Sequence, residues 1–490
     1  MVEPGRAPAL HEQLGHTATL LSQVRSGASL TDALARVPDR LRPGCQSLAF
    51  HVMRWKGSAE AVRRSLAPKA PPAQVDALLV CALALLWPPG GLPYADHTVV
   101  DEAVKATRRM QPRSAGFVNA VLRNFLRGRE RWVDEVQAQA VAQLNHPEWW
   151  IERLQHDWPD QAEAIMAAAQ VHPPMTLRAQ QMQGGLARLM PALDEAGLSG
   201  GPATVPGDAG PLALPQGWTL RKPVPVHDIP GFAAGHWSVQ DAAAQCAAPL
   251  LLRGSLTAVG ASSSSARPLT PARPSQPLRL LDACSAPGGK TAHLVDLLET
   301  QARDAAPSPG PDPSAPWAEL LALDADAARL KRVADNLRRL QAAGPARVHT
   351  RLKAADARRV ADWWDGQPLD GILLDAPCSA SGIVRRHPDA RWLRRASDIA
   401  ALAQIQAELL DALWPLLRSG GRLVYATCSV FKAEGADQIA AFLQRHGLPE
   451  SVIDPASPGH LLPLTDNRFQ SVEDAPPTCD GFFYALLNKP

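Results

Sequence analysis

Residues 369–382 read LDGILLDAPCSASG, and the reading of the whole chain turns on them. Gly371-Ile372-Leu373-Leu374 is a short apolar run closed by charge and proline, the pattern of a central strand in a parallel sheet covered on both faces. It delivers Asp375, Pro377 and Cys378 to its carboxyl end. Residues 421–426, GRLVYA, read as a second such strand and run into Thr427-Cys428-Ser429. In open α/β sheets ligands bind outside the carboxyl ends of the strands, so two thiols at that edge mark where chemistry is expected.

Working outward, strands are expected at 278–282, 320–323, 348–352 and 482–487, with helices at 291–299, 327–340, 399–417 and 435–446. That alternation predicts a doubly wound, Rossmann-like α/β domain over 236–490. Two insertions rich in Ser, Pro and Ala interrupt it near 255–277 and 303–316. Both are expected to be mobile surface loops, because such composition buries too little apolar surface to order itself. Apolar residues at three and four spacing predict an all-helical domain over 1–145. Between the two, 146–235 is broken by Gly and Pro, with strand candidates near 218–220 and 224–227, and reads as a small mixed connecting domain.

A chain of 490 residues exceeds one core and is expected to form two to four domains. No apolar run approaches the roughly eighteen residues of a membrane span. The opening lacks a leader pattern, so a soluble cytoplasmic protein is expected. Seven cysteines, an odd number placed singly, suggest neither a disulfide frame nor a zinc site, and no metal is expected. The net charge of +2 is uninformative, but basic residues cluster late in the helical domain. Lys105, Arg108, Arg109, Arg113, Arg123, Arg127, Arg129 and Arg131 interleave there with Phe117 and Phe125. Each alone fits a solvated helix face; together they suit RNA phosphates.

Residues 282–291, DACSAPGGKT, lie between the first strand and its helix, where a Gly-rich turn lets a ligand approach backbone N–H groups. A phosphate-binding loop needs Gly five residues before Gly289, and that position is Cys284. With G-x-G-x-x-G also absent, a nucleoside ligand without a phosphate chain fits better. Asp324, at the end of the second strand, is placed to accept ribose hydroxyls, and Asp356, after the third, to hold a base edge.

On these residues the chain resembles a family. Asp375-Ala376-Pro377-Cys378-Ser379, Thr427-Cys428-Ser429 and the Cys284-x-Ala286-Pro287-Gly288-Gly289-Lys290 loop are similar to the motifs of the RsmB/NOP family of RNA 5-methylcytosine methyltransferases. Residues 117–123 (FVNAVLR) resemble the NusB-like helical RNA-binding domain, and 382–389 (GIVRRHPD) the bacterial small-subunit rRNA branch. The likeness spans nearly the whole chain outside the insertions. It departs at Ser285, where Ala is common, and at Ser381, where Thr is common.

The resemblance implies S-adenosylmethionine as cofactor, bound by Cys284, Ser285, Ala286, Pro287, Gly288, Gly289, Lys290, Asp324, Asp356 and Asp375. It implies methyl transfer to C5 of one cytosine of 16S rRNA. Cys428 would attack C6, because C5 becomes nucleophilic only after thiolate addition. Cys378 would assist loss of the C5 proton and release, and Asp375 would bond the cytosine near N3 or the methionine side of the cofactor. From the residues themselves, Arg385, Arg386, Arg391, Arg394 and Arg395, flanking the Cys378 loop, would meet RNA phosphates or simply solvate a helix. Phosphates are favoured because base chemistry needs the RNA backbone held. The expected partner is 16S rRNA, with no membrane and no metal, and the expected state a monomer.

Three alternatives stay open: a non-catalytic RNA-binding assembly factor, a methyltransferase of another RNA, and a DNA cytosine methyltransferase. The two intact cysteines speak against the first. The last places its nucleophile after the proline of the Asp375-like strand and lacks a helical domain.

Overall fold

Every side chain from Val75 to Leu86 is buried in the helix Ala73–Leu86. A helix apolar on all sides has to lie inside a bundle, and Leu10–Arg25, Arg42–Arg54, Lys56–Leu66, Asp96–Met110 and Ala115–Arg127 pack around it. The computed structural model describes residues 8–88, 94–207, 210–258, 268–269, 276–305, 316–340, 346–464 and 479–490. It divides into two compact units. The helical unit runs past residue 145, through Glu148–Asp157 and Ala162–Ala168, to His172. One distant segment, residues 384–396, also belongs to it.

The second unit, residues 173–383 and 397–490, holds two sheets. The smaller is antiparallel: β1 (Met175–Ala179), β2 (Gly200–Val205), β3 (Leu212–Leu220) and β4 (Trp237–Val239) lie in the order β2-β3-β1-β4, with β5 (Thr257–Ala258) on β3. The strand expected at 224–227 is absent, and Val226–Asp228 forms a 3-10 turn instead. Pro223 and Pro225 supply no N–H to a ladder there. The first insertion is also less loose than expected. Thr257–Ala258 pairs with β3, and Leu269 is buried and donates its N–H to Leu252 O at 2.8 Å. The rest of both insertions, residues 259–267, 270–275 and 306–315, lies outside the described residues.

The larger sheet carries β6 (Leu278–Asp282), β7 (Ala318–Asp324), β8 (Val348–Ala354), β9 (Leu369–Asp375), β10 (Leu417–Thr427), β11 (Gly459–Leu461) and β12 (Phe482–Asn488). Their order is β11-β12-β10-β9-β6-β7-β8. The run from β10 to β8 is parallel, and β12 returns antiparallel to β10. Side chains alternate between two cores, with Leu280, Leu320, Leu373 and Val424 on one face and Leu281, Leu323, Ile372 and Leu423 on the other. The chain builds outward from β6 through β7 to β8, then resumes with β9 on β6's other side. That reversal opens a crevice at the carboxyl ends of β6 and β9. No helix among the described residues is long and apolar enough to cross a membrane.

Candidate active site

β9 is buried almost to its end between β6 and β10, so the loop leaving it starts from a fixed point. Ala376 N donates to Ala426 O, and Gly382 N to Cys428 O, both at 2.9 Å, tying the loop after β9 to the loop after β10. The two thiols thereby meet, with 3.3 Å between Cys378 Sγ and Cys428 Sγ. The hydrogen bond to Cys428, then burial, hold the Cys378 thiol well above its ordinary pKa. Ala380 adopts φ +61°, the left-handed region that non-glycine residues enter rarely. At the loop's end a Cβ on Gly382 would strike the Gly481 carbonyl, so glycine is required for that close approach to the residue before β12.

On the other side of the crevice, the loop after β6 makes a tight turn onto the helix Gly289–Asp304. Gly288 sits at φ +99°, and a Cβ there would lie 2.9 Å from Val333 Cα in the helix Ala327–Leu340. Lys290 Nζ donates to Asp375 Oδ2 at 2.6 Å and lies 5.1 Å from the Phe482 ring centre. Burial works against the lysine's charge, but Asp375, then Cys428 and Asp282, outweigh it and raise its pKa. Asp324 is buried; its Oδ2 accepts Ala286 N–H at 3.2 Å and its Oδ1 Asp326 N–H at 2.9 Å. Burial, reinforced by Asp282, Asp375 and Asp324, pushes the Cys284 thiol upward.

Cys284 to Lys290, Asp324, Asp375, Cys378 and Cys428 thus gather around one crevice. Asp356 follows the β8 end that pairs with Asp324, with Arg358 on both its carboxylate oxygens and also bonding Glu408. Three residues escaped the sequence reading: Asp282, Phe482 and Glu434. Asp282 is buried with Oδ2 on Thr291 Oγ1 at 2.6 Å, and burial first, then Asp375, raise its pKa to about 7. Its Oδ1 and Ser285 Oγ are buried without a hydrogen-bond partner among the described residues. Phe482 meets Lys290, and Glu434, fully buried, meets the serines that follow both cysteines. The repeated Cys-Ser pair was the one signal in the sequence for that last contact.

The flanking arginines are not a uniform RNA surface. Arg385 and Arg391 are buried in the helical unit. Arg391 donates to Asn145 O and Ala169 O, each at 3.1 Å, and burial lowers its pKa to about 9. Arg54 donates to Arg385 O at 2.7 Å, Asp389 accepts Leu30 N–H at 2.9 Å, and Trp392 Nε1 donates to Met53 O at 2.8 Å. Residues 384–396 are thus a structural segment of the helical unit, and of the five arginines only Arg395 is exposed.

Comparison with known proteins decides the family. A protein of Pseudomonas syringae pv. tomato named ribosomal RNA small subunit methyltransferase B is 40% identical, the match covering 98% of this chain and 97% of the relative. The chain belongs to the 16S rRNA methyltransferase RsmB/F family. Relatives of the same printed name from Xanthomonas campestris pv. campestris and Vibrio cholerae are 39% and 35% identical, each covering 96% of this chain and 95% of the relative. The RsmB/F family model itself matches residues 313–488, a ferredoxin-like domain model of RsmF/B-like methyltransferases 146–227, and the NusB family model 15–127. A solved structure titled "Crystal Structure of PH0851" shares the fold, with a TM-score of 0.65, 22% identity and coverage of 99% of this chain and 100% of that one. Membership of the RsmB/F family agrees with a NusB-like helical part, a small mixed domain and a Rossmann-like sheet in one chain. Among the described residues no group of His, Cys, Asp and Glu is arranged to hold a metal ion.

Proposed function

We propose that this chain transfers a methyl group from S-adenosylmethionine to C5 of a cytosine in 16S rRNA, through a transient bond between Cys428 and C6. The substrate class rests on family membership, and the chemistry on one observation: two thiols 3.3 Å apart at the carboxyl edge of β9 and β10. Cys428 and burial raise the Cys378 pKa, so Cys378 favours its thiol form beside the Cys428 sulfur. The contact puts both sulfurs within reach of one substrate ring. Addition of the thiolate at C6 makes C5 nucleophilic. After transfer, Cys378, having given its own proton to solvent, takes the C5 proton; the C5–H electron pair restores the C5=C6 bond and the C6–S pair returns to Cys428.

The cofactor fits the residues present. Its cationic centres suit the acidic rim of Asp282, Asp324 and Asp375, where Asp282 Oδ1 is buried and unpartnered among the described residues. Bound there, S-adenosylmethionine supplies the methyl group on a positively charged sulfur. Lys290, tethered to Asp375, orients that carboxylate and keeps a positive charge near Cys428. The backbone of 284–290, Asp324 and Asp356 supply donors and acceptors for the rest of the molecule, Asp356 keeping lone-pair capacity free beside its bonds to Arg358. On this reading the protein works as a monomer in the cytoplasm, where its rRNA substrate is made.

The two thiols should fail differently. Cys428→Ala should abolish methylation and leave no adduct, whereas Cys378→Ala should trap protein on methylated RNA as a slow species on a denaturing gel. Bisulfite sequencing of 16S rRNA from cells carrying each variant reads the methylation. Adduct from Cys428→Ala and none from Cys378→Ala would exchange the roles; normal methylation by both would end covalent catalysis here.

A further inference from the structure

Behind the two thiols lies a carboxylate that the reaction does not consume. Glu434 is fully buried. Its Oε1 accepts Ser379 N–H at 2.8 Å and Gln406 Nε2–H at 3.3 Å; its Oε2 accepts the hydroxyls of Ser379 and of Ser429, the latter at 2.6 Å. Ser379 follows Cys378 and Ser429 follows Cys428, so one carboxylate holds the residue next to each sulfur. The clamp is cross-braced. Ser381 Oγ lies 2.8 Å from Ser429 Oγ and accepts Val430 N–H at 2.9 Å, while Gln406 Nε2 also donates to Pro377 O at 2.9 Å. Glu434 is itself held through its carbonyl, which accepts Tyr425 OH at 2.9 Å and Thr427 Oγ1 at 3.2 Å. A buried carboxylate accepting four hydrogen bonds is strongly fixed, because losing any donor leaves charge desolvated without compensation.

We infer that Glu434 is a positioning residue, setting the spacing of Cys378 and Cys428 so that one thiol adds to the substrate while the other stands within reach of the departing proton. This rests on the covalent reading above. Neither oxygen touches a reacting atom; the effect passes through Ser379 and Ser429. Glu434→Gln keeps the size and one acceptor but turns an amide donor toward two hydroxyl donors.

The test is Glu434→Gln in the full chain, read in two ways. The turnover number should fall about a hundredfold, the order of loss for a misplacement of about 1 Å, with the Michaelis constant for S-adenosylmethionine unchanged and the chain still melting cooperatively. Independently, diamide should join Cys378 to Cys428 several-fold more slowly than in the parent; the two thiols give up two protons and two electrons, and the diazene becomes a hydrazine. Intact mass follows that step. If Glu434→Gln does not fold, the double variant Ser379→Ala with Ser429→Ala removes the hydroxyl ties while keeping the carboxylate, and should show the same pair of losses. Unchanged coupling by diamide, with or without loss of turnover, overturns the clamp. Slower coupling in a chain that methylates no cytosine even as the parent keeps the clamp and overturns the covalent methyltransferase reading instead.

Discussion

Asp282 ends β6 with one oxygen on Thr291 and the other unpartnered among the described residues, and burial holds its pKa near 7. The sign of its linkage follows. A carboxyl raised in the folded protein binds more protons there than in the unfolded chain, so the ligand-free protein loses stability as pH climbs from the ordinary carboxylate range through 7. A cationic ligand beside it favours the ionised form and lowers that pKa. S-adenosylmethionine binding near pH 6.5 should therefore release protons, and affinity should rise with pH until about 7 and then level. Calorimetry in buffers of different ionisation enthalpy checks this; Asp282→Asn should erase the proton release. At this scale the cysteines were legible in sequence because each follows an apolar strand directly. Asp282 was less so, since nothing local shows that one of its oxygens lacks a partner, and Glu434 reads as an ordinary acid near the start of the helix Ala436–His446.

Among elements, the helix Ala115–Arg127 divides the basic cluster. Phe125 packs inward, whereas Phe117, Arg123 and Arg127 are exposed, with Arg113 exposed just before the helix. Other members already have acidic partners, Lys105 with Asp101 and Glu102, Arg109 with Glu12, and Arg129 with Asp96 at 2.6 Å, whereas Arg123 bonds only the neutral Asn119 among the described residues. An exposed ring among arginines suits unpaired bases and their phosphates. Neutralising Arg113, Arg123 and Arg127 together should flatten the plot of log RNA affinity against log salt by about 2, at roughly 0.7 per lost contact on a single strand. Filter binding across salt concentrations measures it, and an unaltered slope would return the three to a solvated face. The alternation of strands and helices was readable because period-2 and period-3.6 patterns are local. β11 was not: Gly459–Leu461 is three residues long and owes its strand form to β12.

For the molecule as a whole, the least legible feature is the membership of residues 384–396. They read as a basic loop continuing from Cys378, yet Asp389 and Arg391 supply hydrogen bonds that Leu30, Asn145 and Ala169 would otherwise lack. Only long-range pairing reveals this, and one sequence carries no trace of it. A fragment ending at residue 172 should therefore melt below the same fragment mixed with a peptide of residues 384–396. At saturating peptide the gap should be on the order of 5 kcal/mol, for five hydrogen bonds at about 1 each. A peptide carrying Arg391→Ala should recover less of it.

The same connectivity sets a clock. On the ribosome, residues 8–172 emerge first, but their last segment arrives only after the smaller sheet and β6 through β9 have been made. At roughly 5–20 residues per second the wait is on the order of tens of seconds, during which the nascent helical unit stands incomplete. Its completion is thereby timed to the synthesis of the Cys378 loop, and a message truncated before that point yields a helical unit short of its final piece, exposed to proteolysis.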